Sequence, residues 1–233
     1  MKLKKLITAI FLLACACTLS IHAQVGEQRH NFALGINGGI NLNSVSFSPT
    51  VQQKNLMGMT GGITARYISE RYFKMICGAQ LEVNFSQHGW SEYYEDYPDV
   101  GYTRTMNYVE IPFLAHLAFG KEKGLQFFIH AGPQIGLLLG DSYTIKGDWE
   151  SLTSSNTNIV TEQHDKSIEN TFDYGIAGGA GVELRTKAGN FIVEGRYYYA
   201  LSDFYGSTKK DFFSRSAHGV ITAKVTYLFD ITR

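Results

Sequence analysis

From residue 31 onward apolar and polar residues alternate with period two, the pattern of a strand whose two faces meet different surroundings. The first segment sets Phe32, Leu34, Ile36, Ile40 and Leu42 on one face and Ala33, Gly35, Asn37, Gly39 and Asn41 on the other. In the second, Ile63, Ala65 and Tyr67 oppose Gly62, Thr64 and Arg66; in the third, Ala79, Leu81, Val83 and Phe85 oppose Gln80, Glu82, Asn84 and Ser86. Five more follow, over Val109–Phe119, Leu125–Leu139, Tyr174–Leu184, Phe191–Leu201 and Ile221–Phe229. The connections alternate too. Tight links lie near 70–74, 120–124 and 187–189, and long ones over about 43–58, 89–104, 140–171 and 203–214. Hairpins with short turns at one end and long loops at the other predict an all-β fold: an eight-stranded antiparallel up-and-down transmembrane β-barrel. Strands of about 10 residues, tilted by ~40°, span its apolar band.

A soluble exported barrel that turns its apolar face inward around an apolar ligand has the same alternation. Size and charge separate the two. The apolar set includes Tyr67, Phe85, Phe113, Phe127, Tyr197, Tyr199 and Tyr227, bulky for a narrow interior. The opposite face carries Arg66, Arg185, Arg196 and Lys224 against Glu82, Glu110, Glu183 and Glu194. Each Arg or Lys facing lipid at mid-membrane would cost roughly 2–4 kcal/mol, whereas inside a barrel the charges can neutralise one another. The membrane barrel is therefore expected, with Tyr72, Phe73, Phe119, Phe191, Tyr227 and Phe229 suited to interfacial girdles. Pro112 and Pro133 fall within strands, where proline donates no ladder hydrogen bond; a bulge is expected there, helped by Gly132.

Composition narrows the picture further. With 21 Lys+Arg against 21 Asp+Glu, the chain lacks the basic surplus of a nucleic-acid binder. Lys2, Lys4 and Lys5 precede an apolar run too short to span a bilayer, so residues 1–23 read as a secretory signal peptide and 24–233 as one barrel domain. Lipoprotein processing at Cys15 or Cys17 is the alternative. Removing the leader leaves Cys77 as the remaining cysteine, which excludes an intramolecular disulfide and a Cys-based metal site. The expected surroundings are outer-membrane lipid, with the oligomeric state open.

The eight interior charges are the first candidate chemistry. They read either as an ion path or, preferably, as a salt-bridged plug filling a barrel too narrow for an aqueous channel. His116 and His130 face inward on neighbouring strands and are expected to form a hydrogen-bonded pair rather than a metal site. Glu92, Tyr93, Tyr94, Glu95, Asp96 and Tyr97 concentrate acids and tyrosines in one loop, a candidate surface for a protein partner outside the cell. The polar tract 151–158 is expected to be mobile. No Gly-x-Ser-x-Gly elbow, phosphate loop or His-Glu-x-x-His pair occurs, so neither an enzyme nor a cofactor is expected.

The segment Tyr108-Val109-Glu110-Ile111-Pro112-Phe113, followed by Ala131-Gly132-Pro133-Gln134-Ile135-Gly136, resembles the paired central strands of the PorT-type outer-membrane β-barrels of Bacteroidota, often labelled porin family. The likeness covers nearly the whole mature chain. It implies an outer-membrane location and an eight-stranded barrel, with one branch of the family tied to protein secretion. A narrow channel for small solutes stays open as an alternative role.

Overall fold

The computed structural model describes residues 26–95, 97–121, 124–150, 153 and 159–232. The expected signal peptide and, apart from Thr153, the polar tract 151–158 lie outside the described residues. Nine strands form one sheet: β1 (Glu27–Ser48), β2 (Gln53–Lys54), β3 (Leu56–Tyr72), β4 (Met75–Tyr93), β5 (Gly101–Gly120), β6 (Gly124–Lys146), β7 (Phe172–Arg185), β8 (Asn190–Ala200) and β9 (Arg215–Asp230). The order is β2-β4-β3-β1-β9-β8-β7-β6-β5, and β4 also pairs with β5. These pairings are antiparallel, so the molecule is an all-β, barrel-like sheet.

The apolar face points outward. Phe85, Phe113 and Tyr197 are about half exposed, whereas Glu82 and Arg196 are buried. The soluble reading, with the apolar side turned in on a ligand, is corrected by this: the interior is occupied by Asn37, Thr64, Arg66, Gln80, Glu82, Asn84, Glu194 and Lys224. Close strand approach in the polar interior demands small residues. A Cβ at Gly39, facing in from β1, would stand 2.2 Å from the Ala223 carbonyl oxygen of β9.

Two sequence expectations about the strands are corrected. The bulge anticipated at Pro112 and Pro133 is absent: the register is the same where Pro112 faces Gln134 and where Ala115 faces Ala131, with no pairs between. The ladder is interrupted there without being shifted, because omitting bonds satisfies proline's missing donor without an extra residue. The bulge lies instead between Asn107 and Tyr108, which face Gly140 and Leu138 and leave Leu139 as the additional residue. The strands also outrun their expected ends. β1 continues to Ser48, β4 to Tyr93 and β6 to Lys146, through residues read as loops.

Along these extensions the polarity of the two faces reverses. On β4 the outward residues are Leu81, Val83 and Phe85 and the inward ones Glu82, Asn84 and Ser86; farther on, Trp90 is inward and fully buried while Gln87 and Ser91 hold the outward side. β1 does the same: Ile40 and Leu42 face out beside inward Asn41 and Asn43, then Val45 and Phe47 face in beside Ser44 and Ser46. Inside the extended end, Phe47, Trp90, Tyr102, Met106 and Tyr108 pack with Phe204, Tyr205 and Phe213 from the segment joining β8 to β9. Phe204 stacks on Trp90 at 5.8 Å, and Tyr205 on Phe213 at 5.7 Å. At the opposite, tight-turn end Ile68, Ile76, Ala118, Phe128, Ile192 and Leu228 form a second apolar layer. Polar side chains are thus held between two apolar layers.

Candidate functional site

The interior site is built from alternate residues of strands that face one another across the sheet. Arg66 on β3 donates from both terminal nitrogens to Glu183 on β7, at 2.6 and 2.7 Å, and Arg185 Nε lies 3.2 Å from the same carboxylate. Farther along, Glu82 on β4 accepts from Arg196 on β8 at 2.7 and 3.0 Å and from Lys224 on β9 at 2.6 Å. Glu194 accepts from Arg196 at 2.7 Å and stands 3.6 Å from Lys224. Glu110 takes a different partner. Its carboxylate meets His88 at 2.9 Å and accepts from Gln134 at 2.8 Å.

All eight charged residues picked from the sequence therefore face the interior, in an Arg66–Glu183–Arg185 group, a Glu82–Arg196–Lys224–Glu194 group and a separate Glu110 contact. Bidentate Arg–carboxylate geometry is the strong form of such pairing, and it satisfies charges whose solitary burial costs several kcal/mol. A cavity beside the second group, lined by Asn84, Glu110, Arg196, Thr222 and Lys224 among others, has a volume of about 10 Å³. That is room for about one water molecule.

Sequence reasoning overlooked His88, Asp173 and Arg104. Asp173 accepts from Tyr198 at 2.9 Å and from Ser202 in a short contact. Arg104 donates to Asp141 at 2.6 and 2.9 Å, to the Lys166 carbonyl at 2.6 Å and to the Tyr205 hydroxyl at 2.9 Å, tying two long connections to the strand extensions. Its inward alternation with Tyr102 and Met106 was the available signal, hidden by placing residue 104 in a loop. His116 and His130 are corrected too. They stand directly opposite in register, and no hydrogen bond joins them among the described residues. Each ring instead packs against Phe128, at 5.1 and 5.3 Å.

The acidic, tyrosine-rich segment divides. Glu92 is buried, accepting from Trp90 at 3.0 Å and Gln163 at 2.9 Å, with His164 Nε2 at 2.9 Å. Tyr94 is buried edge-on against Trp149, and burial pushes its hydroxyl pKa up. Both are thereby removed from the expected recognition surface: alternation carries Glu92 inward on β4, and the aromatic layer covers Tyr94. Tyr93 and Glu95 are exposed, Tyr97 is partly buried, and Asp96 lies outside the described residues. In the β8–β9 connection, side-chain and backbone hydrogen bonds from Thr208 hold the Asp211 carboxyl below its ordinary pKa and fix a local turn.

Among the described residues no group of three or more His, Cys, Asp or Glu side chains is arranged to hold a metal ion. No curated protein sequence matches the chain significantly. Solved structures similar to it include Neisserial surface protein A, at 14% identity and TM-score 0.44, covering 84% of this chain and 99% of that one. Also similar are OprG from Pseudomonas aeruginosa, at 11% identity and TM-score 0.44, covering 88% and 98%, and Ail, the attachment invasion locus protein of Yersinia pestis, at 14% and 0.38, covering 87% and 99%.

The family model that matches is the outer membrane protein beta-barrel domain, over residues 22–206. This corrects the PorT-type, Bacteroidota assignment, which rested on the Glu-Ile-Pro segment of β5 and its pairing with β6. The chain belongs to the outer membrane protein beta-barrel domain family and resides in the outer membrane.

Proposed function

We propose that the eight long strands form a closed, up-and-down transmembrane barrel that is sealed, and that the protein acts as a structural and interaction component of the outer membrane rather than as a channel or an enzyme. Closure is supported by the circuit of pairings, in which β1 joins β9 and β4 joins β5. β2 is a two-residue addition on β4. The tight turns face the periplasm and the four long connections, 49–55, 94–100, 147–171 and 201–214, face outward from the cell, as barrels of this class arrange them.

The observation that carries the reading is the filled interior: an ionic belt between an apolar floor and an aromatic cap. Conduction would require parting bidentate ion pairs in a space with room for about one water. One Ser–His–carboxylate cluster among the described residues supports the same reading. Ser86 Oγ and Glu110 Oε1 both meet His88 at Nε2, at 3.3 and 2.9 Å, whereas a nucleophile relay uses the two ring nitrogens separately. What is left for interaction is the outer rim, where Tyr93, Glu95 and Tyr97 offer amphipathic and charged contact to a protein partner. Purified protein in planar bilayers is expected to give no conductance steps at several hundred millimolar salt. Reproducible steps that change size in Lys224→Gln would overturn the sealed reading.

A further inference from the structure

The outward face of the strand extensions carries a cleft that the sealed interior does not explain. Lys54 on β2 stands opposite Ser91 in register, its ammonium 5.0 Å over the ring of Tyr93. Ser91 Oγ and Thr103 Oγ1 are 2.9 Å apart, and Thr144 of β6 faces Thr103. Lys146 closes the far side, opposite Gly101. Between the two lysines lies a cleft of about 390 Å³ with a floor of hydroxyls. Its exposed acid is Asp99; the Glu92 carboxylate at its edge is already engaged inside by Trp90, Gln163 and His164.

The height of the cleft narrows what it meets. Phe85 is the last outward aliphatic or phenyl side chain on β4, and Ser91 follows it by six positions; on neighbouring β3 the exposed Met59 and Met57 continue beyond Thr60, the partner of Ser86. At about 3.3 Å per residue and a tilt near 40°, the cleft stands roughly 5–15 Å beyond the last outward apolar side chains of β3 and β4. In an outer membrane that is the zone of the phosphorylated sugars of the outer-leaflet glycolipid. Two cations against one free carboxylate suit phosphate, side-chain hydroxyls suit sugar hydroxyls, and the Tyr93 ring offers a face for a sugar ring.

We propose that the cleft between Lys54 and Lys146 binds the phosphorylated saccharide headgroup of the outer-leaflet glycolipid. The lysines hold phosphate, and Ser91, Thr103 and Thr144 hydrogen-bond the sugar. The outward orientation of this end rests on the barrel reading above. Each variant is therefore first checked for heat-modifiable mobility in detergent gels, which separates loss of the barrel from loss of the site.

Detergent-solubilised full-length protein is titrated with lipopolysaccharide lacking its O-polysaccharide, and bound glycolipid is read by native mass spectrometry. Lys54→Gln/Lys146→Gln is expected to weaken binding by about tenfold or more, the loss of two charge-assisted contacts. Lys187→Gln, at the tight-turn end, is expected to bind like the wild type. Dephosphorylated glycolipid is expected to bind the wild type as weakly as the phosphorylated form binds the double variant. Millimolar inorganic phosphate is expected to leave the bound glycolipid in place. Undiminished binding by the folded double variant, equal binding of the dephosphorylated glycolipid, or displacement by inorganic phosphate would each overturn the proposal.

Discussion

Arg66 and Glu183 show what an interior residue does in this molecule. Both are buried, and each satisfies the other through two parallel hydrogen bonds. Removing Arg66 leaves the buried Glu183 carboxylate only Arg185 Nε at 3.2 Å, and breaking such a buried pair costs up to about 3–5 kcal/mol, whereas replacing both partners with apolar groups of similar volume costs less. Arg66→Met and Glu183→Met should each lower unfolding free energy in lipid vesicles, by up to about 3–5 kcal/mol, and Arg66→Met/Glu183→Met should lose less than their sum. Losses in the two single variants that simply add in the double variant would show that the pair has no energetic coupling. The eight interior charges were legible because each sits at the polar phase of a clear period-two segment. Their pairing was not legible: Glu110 turned to His88, whose partner choice depends on which strands meet across the interior.

At the scale of the strand, alternation is informative only while its phase holds. Apolar residues on β1 occupy even positions through Leu42 and odd positions from Val45, and read along the chain that change resembles the end of a strand. Physically the strand continues past the edge of the lipid, where the outside becomes wet and the inside is packed by Phe47 and its aromatic neighbours. The long connections were consequently overestimated, and β2 was not anticipated. β6 conceals its change in another way. Leu139 is the extra residue of a bulge, so Tyr143 and Ile145 keep odd numbers yet share a face with inward Arg104 and Tyr102. The seam between the first and last strands is the element most sensitive to bulk. Gly39→Ala puts a methyl group against the Ala223 carbonyl and should cost roughly 1–3 kcal/mol in urea unfolding. Gly195→Ala, which meets nothing within 4 Å, should stay within about 0.5 kcal/mol of wild type. If the two variants unfold alike, the close approach of β1 to β9 is wrong.

For the whole molecule, the change of phase on individual strands adds up to a boundary. Below it, apolar side chains face out over a charged interior; above it, hydroxyls and lysines face out over aromatic rings. Neither the family match nor the interior ion pairs locate that boundary along the strands, but β4 does, between Phe85 and Tyr93. The most direct measurement is a nitroxide scan of outward β4 positions in a Cys77→Ser background, reconstituted in lipid, comparing accessibility to oxygen and to a water-soluble nickel chelate. Labels at Leu81, Val83 and Phe85 should favour oxygen, and a label at Tyr93 should favour nickel. Nickel accessibility at Leu81 and Val83 equal to that at Tyr93 would contradict the account, because it would place water where the apolar face is said to meet lipid.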